Sequence, residues 1–375
     1  MKKISALPLH AMELIAPSPS SSRPVATWIM IGVAMMLIQV VLGGITRLTG
    51  SGLSITEWDV VTGFLPPMNE QRWMEEFNKY RQTPQFHYLN MDFTLSDFKF
   101  IFFWEWLHRF WARLIAIVFA IPFIVFLFQG RFTKDMMRTL LLLFVFGALQ
   151  GAIGWIMVMS GLTGDAIYVK PTKLALHFVF ALGLVALSFW VGLKWLLPDK
   201  EGSVASGLRR ITGWMIALVF IQFVFGALMA GHKAANAAPT WPTINEEWIP
   251  ANLFIEKPLL FNLVDNKITI HFIHRLLAYA LAIVTIIWTI RAYKKPAMPR
   301  LFTSTRWMPL ALIIVQVLLG IFSLSASRHI VPGRWGTFEW LAQLHQVTGM
   351  LFLLSLVWMY YLVRKNSLHA LAGMR

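Results

Sequence analysis

The stretch from Ile101 to Phe128 reads IFFWEWLHRFWARLIAIVFAIPFIVFLF, and its only ionisable groups are Glu105, His108, Arg109 and Arg113. A helix needs roughly 20 apolar residues to cross the hydrocarbon of a bilayer, and this run exceeds that. Ionisable groups at such depth are costly and mark functional sites. The stretch therefore predicts a membrane-spanning helix with a site built around Glu105 and His108.

Working outward, seven further runs are long and apolar enough to span, at about 25–46, 136–159, 172–197, 209–231, 268–291, 306–326 and 339–363. Hydrophobic residues make up 57% of the 375-residue chain and charged residues 14%, too few to cover a soluble domain of that size. Strand-period alternation is missing from these runs, which argues against a membrane barrel. The predicted fold is an all-α integral membrane protein with eight transmembrane helices.

The net charge of +15 would suit nucleic acid if it were gathered on one basic helix, but the Lys and Arg residues lie mostly beside the apolar runs. Assigned to sides, 18 of them fall in the tails and even-numbered connections and 12 in the odd-numbered ones, most of those in two long loops. That bias predicts cytoplasmic termini. The opening 24 residues are broken by Pro8, His10 and Glu13 and read as a cytoplasmic tail, not a cleaved signal. The absence of cysteine excludes disulfides, thiolate ligation and iron–sulfur clusters.

The polar exceptions repeat. Gln-x-x-x-Gly occurs in every odd-numbered span, as Gln39/Gly43, Gln150/Gly154, Gln222/Gly226 and Gln316/Gly320, and every even-numbered span carries one histidine, His108, His177, His274 or His345. Offsets of 166 residues separate His108 from His274 and Gln150 from Gln316, and 168 separate His177 from His345. The chain thus reads as a tandem duplication of four spans. Its parts are a tail over 1–24, a four-helix bundle over 25–197 with a long loop at about 47–100, a linker over 198–208, a second bundle over 209–363, and a tail over 364–375.

Gln and Gly four residues apart share a helix face, so a flat macrocycle can lie on the glycine surface while the amide offers a hydrogen bond. The competing reading is ordinary small-residue packing between helices. Two histidines per half suit a bis-histidine heme inside a four-helix bundle, whereas zinc would call for three or four converging ligands. All four lie toward the outer ends of their spans, which predicts sites in the outer half of the membrane. Arg109, Arg113 and Arg275 are placed either to pair with heme propionates or to snorkel to lipid phosphate.

The halves differ three residues before the first ligand, where Glu105 in one half answers to His271 in the other. A carboxylate there can take part in proton chemistry or orient His108; the former makes the N-terminal half reactive. The stretch 68–80 reads as a covering loop, with a surface helix carrying Trp73, Met74 and Phe77 as the alternative. Of the other histidines, His232 is the one to watch; His10, His87, His329 and His369 read as solvent-facing.

From Gln39 to about Gly349 the chain resembles the heme A synthase family, which serves cytochrome oxidase assembly. The resemblance rests on Gly43-Gly44-Ile45-Thr46-Arg47-Leu48-Thr49-Gly50-Ser51-Gly52-Leu53-Ser54, then Trp58, Gly63, Pro66 and Pro67. It extends through Glu105-Trp106-Leu107-His108-Arg109, Gln150-Gly151-Ala152-Ile153-Gly154-Trp155, Leu176-His177, His274-Arg275 and Leu344-His345-Gln346-Val347-Thr348-Gly349.

The resemblance implies oxidation of the C8 methyl of heme O to a formyl group by successive hydroxylations. By position, His108 and His177 would hold heme O, with Glu105 near the methyl. His274 and His345 would ligate a resident heme B. Arg109 and Arg275, with Gln39, Gln150, Gln222 and Gln316, would contribute to heme binding. The setting would be a bacterial inner membrane. Heme O synthase and cytochrome oxidase assembly factors are the implied partners; the electron partner stays open, and a homo-oligomer is compatible. Some members carry a cysteine pair in the first outer loop; this chain resembles the cysteine-free class. A di-heme electron-transfer protein or a heme carrier would use the same histidines without a reason for Glu105 in one half alone.

Overall fold

The structure is a computed structural model, and it describes residues 19–57, 62–197, 205–295 and 298–364. Most of the predicted N-terminal tail, residues 198–204 of the linker, the C-terminal tail beyond Arg364, and Trp58 of the family stretch lie outside the described residues. So do His10 and His369.

Among the described residues there are no strands, and eight helical spans of 26 to 34 residues are long and apolar enough to cross a membrane. The helices are α1 (Pro19–Leu48), α2 (Glu70–Tyr80), α3 (Pro84–Leu89), α4 (Leu95–Phe128), α5 (Lys134–Met159), α6 (Pro171–Leu196), α7 (Ser206–Gly231), α8 (Lys267–Tyr293), α9 (Arg300–Thr305), α10 (Met308–Ala326) and α11 (Thr337–Leu362). The predicted span at 306–326 begins instead with a break. Pro309 occupies the first turn of α10, where its missing N–H costs nothing, and the chain before it turns at Arg306–Trp307 after the short α9.

α4 starts about two turns earlier than the apolar run suggests, because Thr94 and Asp97 form a reciprocal capping box at its N-terminus. That extension supports the first long loop. The stretch 68–80 is not a covering loop but contains helix α2, capped by Asn69, whose side chain accepts from Arg72 N at 2.9 Å. Trp73 and Phe77 pack inward, with Phe77 stacked at 5.1 Å on Phe98 and Trp73 edge-on at 5.0 Å to Phe102, both on α4. Met74 faces outward.

Each predicted hairpin forms a packed pair: α1 with α4, α5 with α6, α7 with α8, and α10 with α11. In the C-terminal half the four helices close into a ring, since α8 packs on α10 and α11 on α7. Its core holds Met215, Trp288, Leu353 and Tyr361, with the Trp288 indole donating to Thr212 Oγ1 at 2.8 Å. The N-terminal half is more open: α1 packs on both α4 and α6, but the backbones of α4 and α5 barely approach. Those two helices meet through aromatic side chains remote from the histidines, such as Phe119 and Phe144 at 6.1 Å.

The halves join where α6 packs on α7 and α11, and where α1 packs on α11. At that last contact Gly44 leaves room for Gln343 and Gln346, whose amides donate to the carbonyls of Val41 at 3.1 Å and Val40 at 2.9 Å. Such bonds across helices satisfy groups that hydrocarbon would leave stranded.

Candidate functional site: four histidine cradles

Each cradle glycine sits five or six residues from the C-terminal end of its helix, at Gly43, Gly154, Gly226 and Gly320. His177, His274 and His345 lie six to eight residues into theirs, and His108 thirteen into the extended α4. Paired helices are antiparallel, so glycine and histidine meet at one level in every hairpin.

The structure assigns the glycine face differently from the sequence expectation. The body lying on each glycine is the imidazole of the paired histidine, not an open surface for a macrocycle. A Cβ built on Gly43 would stand 3.1 Å from His108 Cε1; on Gly154, 2.8 Å from His177 Cε1; on Gly226, 3.2 Å from His274 Cε1; and on Gly320, 3.0 Å from His345 Cε1. Every glycine is thus a socket for a ring edge, which no side chain would allow.

The glutamines complete the cradles. Gln39 Nε2 donates to the His108 carbonyl at 3.1 Å and lies 3.2 and 3.1 Å from its two ring nitrogens. Gln150 treats His177 alike, at 3.2 Å to the carbonyl and 3.1 and 3.3 Å to the ring. Gln222 Nε2 donates to the His274 carbonyl at 3.0 Å and approaches its Nε2 at 3.3 Å. Gln316 Nε2 approaches His345 Nε2 at 3.2 Å, while His345 Nδ1 donates to the Gln316 carbonyl at 3.0 Å. A carbonyl only accepts, so Nδ1 carries the proton and Nε2 bears the lone pair, which in this arrangement accepts from the Gln316 amide.

Two observations test whether a ligated tetrapyrrole fits. The side-chain oxygens of Gln39, Gln150, Gln222 and Gln316 are all buried without a hydrogen-bond partner, so every cradle has a polar atom unspent. In the C-terminal half the rings of His274 and His345 have centroids 6.4 Å apart at an interplanar angle of 62°. Two metal–imidazole bonds of about 2 Å, with half a ring beyond each, span about 6 Å. The centroid separation matches that of two imidazoles sharing one iron. Among the described residues no three His, Cys, Asp or Glu converge on a common point. Axial pairs of this kind suit an iron whose other ligands come from a macrocycle.

Glu105 is buried, at 3% exposure, and both of its oxygens are engaged. Oε1 accepts from Arg109 Nη2 at 2.6 Å; Oε2 accepts from Ser54 Oγ at 2.7 Å and from Ile55 N at 2.9 Å. Neither oxygen has a hydrogen bond to His108, whose ring is held by Gln39. Arg109 continues to the carbonyls of Ile55 at 3.1 Å and Glu57 at 3.0 Å. The carboxylate is thus fixed between α4 and the first loop.

The counterpart His271 donates from Nε2 to the Ala234 carbonyl at 2.7 Å. Its neighbour Arg275 donates to the carbonyls of Ala238 at 2.7 Å, Thr240 at 2.9 Å and Thr243 at 3.0 Å. Both halves therefore pin a long loop to a histidine helix at this level; only the first does so with a carboxylate. The sequence reading missed Ser54 and the Ile55 amide as partners of Glu105, although Ser54 closes its most specific stretch. His232 donates from Nε2 to the Val264 carbonyl at 2.6 Å, a loop anchor at the end of α7. His87 and His329 are exposed as expected.

Outside the membrane spans, Tyr80 lies beneath the first loop, donating to Gln85 Oε1 at 3.0 Å and accepting from Asn90 Nδ2 at 2.6 Å. Burial pushes its hydroxyl up to about 12, against the pull of Asn90 and with a smaller push from Glu105. Lys79 is held above the usual lysine range by its hydrogen bonds to Glu57 at 2.8 Å and Glu76 at 2.9 Å.

The family described as cytochrome oxidase assembly protein, COX15-CtaA, matches residues 26–357. The heme A synthase of Parvibaculum lavamentivorans is 39% identical over 315 residues, covering 84% of this chain and 90% of its own. The chain belongs to the heme A synthase family. The family's enzymes from Rhodospirillum centenum and Nitrosospira multiformis are each 38% identical, over 348 and 350 residues. These alignments cover 92% of this chain and 90% and 94% of theirs, so the heme A synthase likeness takes in both halves and all four cradles.

Proposed function

We propose that the chain oxidises the C8 methyl of heme O to a formyl group by successive hydroxylations, as an oxidoreductase acting on a CH group in a bacterial inner membrane. His108 and His177 hold heme O in the N-terminal half; His274 and His345 hold a resident heme B in the C-terminal half. When bound, heme B supplies one-electron redox chemistry. Heme O synthase, as supplier of heme O, and cytochrome oxidase assembly factors, as recipients, are the proposed partners. Both termini are cytoplasmic and the heme sites lie toward the outer side.

The observation that carries this reading is the fixed carboxylate in one half only. Glu105 stands one turn from His108, held by Arg109, Ser54 and the Ile55 amide, and so cannot swing away as charge or a proton arrives beside it. Beside Arg109, the carboxylate is placed to accept a proton or to stabilise developing positive charge. Gln39 and Gln150 act on the substrate through the imidazoles, fixing ring orientation. The looser α4–α5 side supports a half that exchanges its ligand, and the closed ring of α7, α8, α10 and α11 supports one that retains it.

The test is pigment extraction after expression with a heme O supply. The unaltered chain should yield heme A. Glu105→Gln, which can still accept from Ser54 and Ile55, should keep heme B and accumulate unoxidised or partly oxidised substrate. Normal heme A from that variant would remove Glu105 from the chemistry; a di-heme carrier would make no new pigment from either chain.

A further inference from the structure

α1 places Gln39, Gly43 and Arg47 four residues apart on one face. Gln39 and Gly43 hold the His108 ring, so Arg47 stands one turn, about 6 Å, closer to the helix end on the same side. Four residues beyond the cradle glycine the other three repeats have Val158, Ala230 and Leu324. A cation at this level belongs to one cradle of the four.

The arginines that the sequence offers to propionates all have carbonyl partners: Arg109 and Arg275 in the loops described above, and Arg113 on the Gly63 carbonyl at 2.9 Å. Arg47 differs. Its guanidinium makes no hydrogen bond and no ion pair among the described residues, although the side chain is partly buried. Its one electrostatic partner is Glu339 in the first turn of α11, which lies beyond ion-pairing distance and accepts from Gly336 N at 2.8 Å. The negative end of the α1 dipole favours a cation here but uses none of its donors. A guanidinium with its fork unspent at the edge of a membrane site is matched in shape and charge by a carboxylate.

A flat macrocycle gripped by two axial imidazoles is fixed in height and tilt, yet free to rotate about the axis joining them. Oxidation of one particular methyl requires that rotation to be stopped. One ion pair away from the axis stops it, and Glu105 is itself immobile. We propose that Arg47 anchors a propionate carboxylate of the tetrapyrrole held between His108 and His177, and so sets which edge of the ring faces Glu105. Arg47 is a positioning residue on this account, and the proposal rests on the reading of the N-terminal half as the substrate site.

The test is an optical titration of the purified full chain, carrying its resident heme, with iron protoporphyrin IX and separately with its dimethyl ester. Arg47→Gln should weaken the diacid about tenfold, as expected for losing a charged hydrogen-bonded pair, and change the diester by less than about twofold. Arg47→Lys should recover part of the diacid affinity, and Glu339→Gln should not weaken it. An unchanged resident-heme spectrum shows that each variant is folded.

Equal losses for both probes, as a lipid-headgroup or packing role would give, overturn the proposal; so does no loss for either. His108→Ala separates the two layers. If it leaves the titration intact, the site being filled is not the N-terminal one and the reading beneath the proposal fails. If it abolishes the titration while Arg47→Gln shows no preference for the diacid, only the Arg47 assignment fails.

Discussion

Replacing Gly154 by alanine puts a methyl group 2.8 Å from His177 Cε1 and 3.3 Å from Nδ1. Carbon atoms rest at about 3.5–4.0 Å, so one of the two must yield by roughly 0.7 Å or more. The ring has little freedom, because Gln150 holds both its nitrogens and its backbone carbonyl. Overpacking of this kind costs about 1–3 kcal/mol, and when the strain falls on an axial ligand it lowers heme affinity by about five- to a hundredfold. The assay is a titration of the full chain with iron protoporphyrin, read as the band of the newly ligated heme.

The socket geometry also ranks the four sites. Clearance widens from Gly154 at 2.8 Å through Gly320 at 3.0 Å and Gly43 at 3.1 Å to Gly226 at 3.2 Å, so the alanine penalty should shrink in that order. Gly147 and Gly151, on the same helix as Gly154, have nothing within 4 Å of a built Cβ and serve as controls. Wild-type affinity in Gly154→Ala, or an equal loss in Gly151→Ala, would refute the socket argument.

Three further outcomes follow from the contacts. Gly44→Ala drives a methyl into Gln343 and Gln346 and should loosen the join between halves by about 1–3 kcal/mol, seen as earlier thermal loss of the resident heme. Ser54→Ala removes one donor from the buried Glu105 carboxylate; it should cost about 1.5–3 kcal/mol in the positioning of that group and lower turnover at unchanged heme content. Alkali should release the first loop: Tyr80 ionises near 10 when exposed but near 12 when folded. The neutral form is thus favoured by folding, stability is lost as pH rises from about 10 to about 12, and proteolysis within 70–93 should accelerate there in the unaltered chain but not in Tyr80→Phe.

The spans, the four hairpins and the pairing of each glutamine with its histidine were legible in the sequence because hydrocarbon makes polar exceptions expensive, so those that persist and recur stand out. What fills the space over a glycine was not legible. It depends on how closely two helices approach, and the approach brings an imidazole edge to Gly43 or Gly154 before any macrocycle could lie there. The sequence ranks helix α2 only second to a covering loop, because its inward residues, Trp73, Phe77 and Tyr80, are few among charged neighbours, though Asn69 followed by Glu70 is a capping signal. The partners of Glu105 were hidden for another reason: Ser54 and the Ile55 amide reach it by a loop return that no helical periodicity encodes. The position of Arg47 could have been found from the sequence, by comparing residues four beyond each cradle glycine.

The proposed chemistry needs two irons, each shared by one specific pair of histidines, and electron paramagnetic resonance of the fully loaded chain measures that directly. The unaltered protein should show two low-spin bis-imidazole signals. Substituting alanine for His108 or His177 should remove one and the same signal, and substituting His274 or His345 should remove only the other. A variant that disturbs the signal belonging to the opposite pair, or two partners whose loss affects different signals, would contradict the pairing on which the proposed chemistry depends.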